Sequence, residues 1–218
     1  MPLPTIKVTL APAPVRRKIS PGMVFAIVLW LTAVGGGTIA MTRYSNSPGG
    51  SGQAPNAWPA RSLIPFDPSR PTLVMFAHPH CPCTRSSLGE LEVLLARFPG
   101  RISAHVVFLK PMETTTHWEK TDLWRKASSI PGVTVHTDHA GIESRRFHSE
   151  TSGQTLLYDG SGALQFQGGI TLGRGHAGDN PGRSALEDFL RDGHANQTQT
   201  PVFGCSLFEA KCQPRDNP

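Results

Sequence analysis

LVMFAHPHCPCTRSSLGE, residues Leu73–Glu90, runs from an apolar segment through a histidine- and cysteine-rich turn into a helical pattern. Thr72–Ala77 (TLVMFA) is short and almost wholly apolar, the pattern of a strand buried on both faces. From Ser87 to Phe98 the apolar residues fall at Leu88, Leu91, Leu94, Leu95 and Phe98, which is helical spacing. Ser87 and Glu90, three apart, form a capping-box pattern at the head of this helix. The turn between strand and helix holds His78, His80, Cys81, Cys83 and Thr84.

Downstream, strand and helix patterns continue to alternate. Ile102–Leu109 (ISAHVVFL) predicts a strand, His117–Ser129 a helix carrying Trp118 and Trp124, and Val133–His136 a short strand. Asp138–His148 predicts a helix, and at least one of the two tryptophans is expected in the core. Thr155–Tyr158 and Ala163–Gln167 flank Asp159-Gly160-Ser161-Gly162, a hairpin signature, and Ser184–Arg191 predicts a last helix. The order β-α-β-α-β-α-β-β-α places the domain in the α/β class, with a central mixed sheet flanked by helices.

The charges divide the chain. It has 218 residues and a formal net charge of +5. Lys7, Arg16, Arg17, Lys18 and Arg43 precede every acidic residue, and from Arg61 onward basic and acidic residues balance. A basic field for nucleic acid is therefore not expected on the folded part. Ile19–Thr42 has no charge, and its Met23–Val34 core reads MVFAIVLWLTAV, about 20 apolar residues being enough for a bilayer's hydrocarbon core. Residues 1–18 then form a cytoplasmic basic N-terminus and 19–42 a transmembrane signal anchor in the inner membrane. The positive flank keeps the N-terminus inside and exports the rest to the extracytoplasmic (periplasmic) side. The competing reading is a cleavable signal peptide, with small residues at Ala33-Val34-Gly35 and Thr38-Ile39-Ala40. Residues 43–60, rich in Gly, Ser and Pro, read as a flexible linker. A domain over 61–200 and a C-terminal extension over 201–218 with Cys205 and Cys212 complete the organisation.

A thiol at Cys81 would lie at a helix N-terminus, where unpaired N–H groups and the helix dipole favour thiolate. Cys83 is placed to attack a mixed disulfide, although a Cys-x-Cys ring should be strained. His78 and His80 could stabilise thiolate or shuttle protons. Structural pairing of Cys81 or Cys83 with the C-terminal cysteines is the plain alternative, and Cys205–Cys212 is a candidate structural disulfide. His78, His80, Cys81 and Cys83 are also soft or borderline ligands that suit copper, or zinc. His136, His139 and His148 read as surface or strand-end residues. Arg174 could face the site and lower a thiol pKa, or be an ordinary loop cation. Gly168–Gly182 reads as a long surface loop near the site, without the Lys-Ser/Thr of a phosphate loop.

Leu73–Glu90 resembles the active-site strand, turn and helix of the thioredoxin-like superfamily, and Thr155–Gly162 (TLLYDGSG) resembles the strand and turn after the loop that faces the cysteine. HPHCPCTRSSLGEL, WEKTDLWRKASSIPG, TSGQTLLYDGSG, GGITLGRGHAGDN and PVFGCSL together resemble the membrane-tethered RedB-like group over most of Arg61–Leu207. The resemblance implies a thioredoxin-like fold, a redox-active centre, and a protein thiol or disulfide as partner. It places Cys81 as nucleophile, with Thr84 where the resolving cysteine usually stands and Cys83 one residue early. Gly153 falls at the cis-proline position, and His80 replaces the aromatic residue before the cysteine. Cys83 is the first candidate for the resolving thiol, and Cys205 the second if the C-terminus folds back. No cofactor is implied. A peroxiredoxin-like site would need Thr or Ser where His78 stands, and a non-catalytic module of the same fold is the remaining alternative.

Overall fold

The computed structural model describes residues 20–208, and the chain divides into two units after Met41. Helix α1 (Pro21–Ser45) starts with Pro21 at its first turn and Ser20 Oγ accepting from Met23 N at 3.2 Å, two N-terminal signals acting together. Thr32 and Thr38 return their hydroxyls to the carbonyls of Val28 and Val34, at 3.0 and 2.8 Å. Both hydroxyls are thus paired within the helix on its most apolar stretch. Its 25 residues are long and apolar enough to cross a membrane.

The second unit is built on β1 (Thr72–Ala77), the central strand of a five-stranded sheet ordered β3-β2-β1-β4-β5. β2 (Ser103–Lys110) and β3 (Val133–His139) run parallel to it; β4 (Gln154–Tyr158) is antiparallel to β1, and β5 (Leu164–Gly168) antiparallel to β4. Every β1 residue is buried because both faces are covered. Leu73, Met75 and Ala77 face one core with Leu88, Leu91 and Leu94 of α2 (Thr84–Arg97), Leu123 of α3 (Asp122–Ser128), and Leu186 and Phe189 of α5 (Pro181–Asp192). Val74 and Phe76 face a second core with Phe147, which follows α4 (Ile142–Arg146), and Tyr158. The expected element order is the observed one, a mixed sheet flanked by helices.

Several expectations need correction. α2 starts at Thr84, not Ser87, so the capping box is not one: Ser87 and Glu90 point inward. Glu90 pairs instead with Arg183 of α5 and accepts from Gly178 N at 2.6 Å. α3 is shorter than His117–Ser129, the backbone at His117 being left-handed at φ 70°. The segment Asp138–His148 is not all helix: Asp138 lies in β3, and its carboxylate accepts from Glu143 N at 2.8 Å and Ser144 N at 2.9 Å in the first turn of α4, whose N-cap is Gly141.

Residues 43–60 are not a free tether. Gly49 N donates to Val202 O at 2.8 Å, Ala54 N to Gln167 Oε1 at 2.9 Å, and Trp58 N to Gly162 O at 2.7 Å. The Trp58 ring lies 5.1–5.2 Å from those of Phe66, Phe147 and Tyr158. One aromatic anchor and backbone bonds to distant loops hold a segment whose composition alone suggested freedom. Residues 201–208 likewise join the domain, with Val202 and Leu207 buried.

Candidate functional site

The site forms where β1 ends at the carboxyl edge of its parallel βαβ unit, the usual place for an open crevice in such sheets. The chain turns tightly here: Cys81 N donates to His78 O at 3.1 Å, and Thr84 N to Cys81 O at 3.1 Å. Pro82 costs little in this first turn, where its missing N–H has no helical partner. Cys83 is the N-cap of α2, with helical φ and ψ.

Cys81 is fully buried, and Cys83 nearly so. The Cys81 Sγ accepts the Cys205 backbone N–H at 3.3 Å. The Cys205 side chain, the Cys83 side chain and Thr84 also bond to it, and these donors outweigh burial to hold the Cys81 thiol far below the ordinary thiol range. Cys83 responds oppositely. Its bond to the Cys205 side chain and the charge of Arg174 favour its thiolate, but its bond to Cys81, burial and the charge on Cys81 push it up. The two thiols thus shift in opposite directions, and Cys81 is the one favoured as thiolate.

A hydroxyl chain supports that charge. Thr84 is buried, and its Oγ1 lies 2.7 Å from Ser152 Oγ, which accepts His78 N at 2.8 Å. Thr84 has one hydroxyl proton, so giving it to Cys81 leaves Ser152 as donor to Thr84. His78 is buried, its Nδ1 accepts His80 N at 3.2 Å, and burial pushes its imidazole down to about 4 against the charge of Cys81. It is a neutral wall of the site. His80 is more open, with Nε2 donating to Trp118 O at 3.2 Å and its ring 4.5 Å from the Trp118 ring. Trp118 thus flanks the site, while Trp124 stacks on Phe108 at 5.3 Å and packs on the core.

Gly153 has φ 91° and donates its N–H to Phe76 O at 2.7 Å. A Cβ there would lie 2.8 Å from Ser87 Oγ, so both space and conformation favour glycine. Residues 201–208 pass over the turn as a strap. Ser152 N donates to Cys205 O at 2.8 Å and Leu207 N to Glu150 O at 2.8 Å. A Cβ on Gly204 would collide with Ser152 O, which lets the strap lie this close. Arg174 fastens it, bonding Gly204 O and, at 3.2 Å, Ser47 O.

The structure therefore brings together Cys81, Cys83, Thr84, His78, His80, Gly153, Arg174 and Cys205. Cys212 lies outside the described residues. His148 stands elsewhere, its Nδ1 2.7 Å from Gln53 O. His136 is half-buried, not superficial, 3.0 Å from His105 Nδ1. Sequence reasoning missed Ser152, although it lies in the quoted TSG motif; its signal was a hydroxyl beside the glycine that faces the turn. Among the described residues no group of three or more His, Cys, Asp or Glu side chains could hold a metal ion.

No family model matches the chain, and no curated protein matches it. Among solved structures it is similar to a hypothetical protein from Sinorhizobium meliloti, with TM-score 0.54 and 18% identity over 75% of this chain and 96% of that one. An uncharacterized conserved protein from Geobacillus kaustophilus gives TM-score 0.52 and 19% identity over 75% and 93%. A thioredoxin-like protein in its oxidized form is similar at TM-score 0.40 and 16% identity, over 67% and 93%. The fold is a mixed five-stranded sheet flanked by helices, preceded by an apolar helix able to span a membrane.

Proposed function

We propose that the chain is a membrane-anchored, extracytoplasmic thiol–disulfide oxidoreductase of the RedB-like kind, acting on a protein thiol or disulfide. The observation that carries it is Cys81, a thiolate at a strand–helix turn that accepts bonds from other thiols, a backbone N–H and a hydroxyl. A thiolate so held attacks a disulfide sulfur in line and leaves as readily, because its low pKa also makes it a good leaving group. His78 and Thr84 position the turn and Gly153 admits the close approach. Arg16, Arg17 and Lys18 before α1 support an N-terminus retained in the cytoplasm. Cys81→Ser should abolish exchange with insulin or a small disulfide and any trapping of mixed disulfides. Unchanged exchange in that variant would overturn the reading.

A second reading, a non-catalytic module of the same fold, draws on the full burial of Cys81. Thiol labelling of the native protein separates the two: reaction at Cys81 without unfolding supports exchange, and a Cys81 that labels only on global unfolding supports the module.

A further inference from the structure

Two thiols touch Cys81, and they differ in how a disulfide to each would have to form. Cys83 is two residues on, across the turn that precedes α2, and its thiol already bonds to Cys81. Pro82 stiffens the link, and the Thr84 N to Cys81 O bond of 3.1 Å closes the turn around it. A Cys81–Cys83 disulfide would therefore close a small, strained ring within this turn. Cys205 arrives from another segment. Its backbone N–H is 3.3 Å from Cys81 Sγ, and its side chain bonds to both other thiols. A disulfide to Cys205 would close no small ring within the turn, since the two cysteines are 124 positions apart.

The strap also explains access. Cys81 is covered while residues 201–208 lie in place, so a substrate sulfur reaches it only when the strap lifts. The return of the strap brings Cys205 back onto Cys81. Resting on the exchange function above, we propose that Cys205, rather than Cys83, is the resolving thiol, and that the strap acts as both cover and second half of the redox pair. The Cys81 thiolate attacks a substrate disulfide R–S–S–R′; the Cys81–S–R bond forms and R′S⁻ leaves, taking a proton from solvent. The Cys205 thiol then gives up its proton and attacks Cys81 Sγ. The Cys81–Cys205 bond forms, and RS⁻ leaves with that proton. The substrate gains two electrons and becomes two thiols; the Cys81/Cys205 pair loses two and becomes a disulfide. Cys83, whose thiol is pushed up beside the Cys81 charge, stays protonated as a donor to Cys81.

The test uses the full chain in detergent with an aromatic disulfide that releases a coloured thiolate, and peptide mass mapping of the products. Wild type should map a Cys81–Cys205 link. Cys205→Ser should stop with the aryl adduct on Cys81, its lifetime extended about tenfold or more. Cys83→Ser and Cys212→Ser should still complete the second step. A Cys81–Cys83 link in wild type, a Cys205–Cys212 link in the reacted protein, or an adduct in Cys205→Ser that resolves at the wild-type rate overturns the assignment. The wild-type map stands even if a variant fails to fold. An adduct that forms on Cys81 but is resolved by Cys83 removes only the role of Cys205. Absence of any adduct on Cys81 removes the exchange function as well.

Discussion

At Cys81 burial and hydrogen bonding act in opposite directions, and bonding prevails because several donors converge on one sulfur. An ordinary thiol, with a pKa of about 8.5, gains nucleophile steeply as pH rises toward that value. The adduct rate at Cys81 should instead be nearly level between about pH 6 and 8, measured by mass-resolved labelling. A rate rising tenfold per pH unit through that interval would contradict the thiolate. Gly153 gives a second residue-scale expectation. With φ 91° and a hydroxyl 2.8 Å from the missing Cβ, Gly153→Ala should cost about 1–3 kcal/mol in urea unfolding. Proline there would also remove the N–H that Phe76 O accepts. Gly153 thus has a backbone duty of its own.

Among the elements, α2 and α5 are joined by the buried Glu90–Arg183 pair, which Asn180 and the Gly178 N–H complete. Removing one partner strands a buried charge, so Arg183→Met should lower stability by about 3–5 kcal/mol in denaturant titration. A change under about 1 kcal/mol would mean the pair is solvated. This contact also shows where sequence reading stops. Strands β1 and β2 and helix α2 were legible because each repeats apolar residues at its own period. Glu90 was mistaken for a cap residue, since a three-residue spacing carries no information about a partner 93 positions away. Trp58 and its neighbours in the Gly- and Pro-rich segment were misread for the same reason. Their partners are backbone groups and rings of remote loops, and irregular segments have no period to betray them. The turn at Cys81 itself was readable because strand, thiol and helix are contiguous.

For the whole molecule, acid should be the weak side. Burial pushes both His78 and His105 down to about 4, and lowers His136, which shares a 3.0 Å contact with His105. The unfolded chain takes up these protons first as pH falls below about 6.5, so the folded state loses stability from there down to about 4. On the order of 3 kcal/mol per strongly shifted histidine is at stake, and melting temperature against pH should fall through that window. A level profile would contradict the burial of these rings as neutral groups. The proposed orientation has its own check: the protein should resist alkaline extraction from membranes, and protease added outside spheroplasts should digest the domain. Protection there would reverse the topology. The strap over Cys81 also makes that sulfur a clock for local opening. If opening and closing are fast, the labelling rate is the intrinsic rate multiplied by the open fraction, as for a protected amide in hydrogen exchange. Weakening the fastening at Arg174 should speed labelling without changing global stability in proportion, so a single sulfur can report how often the site is available to a client.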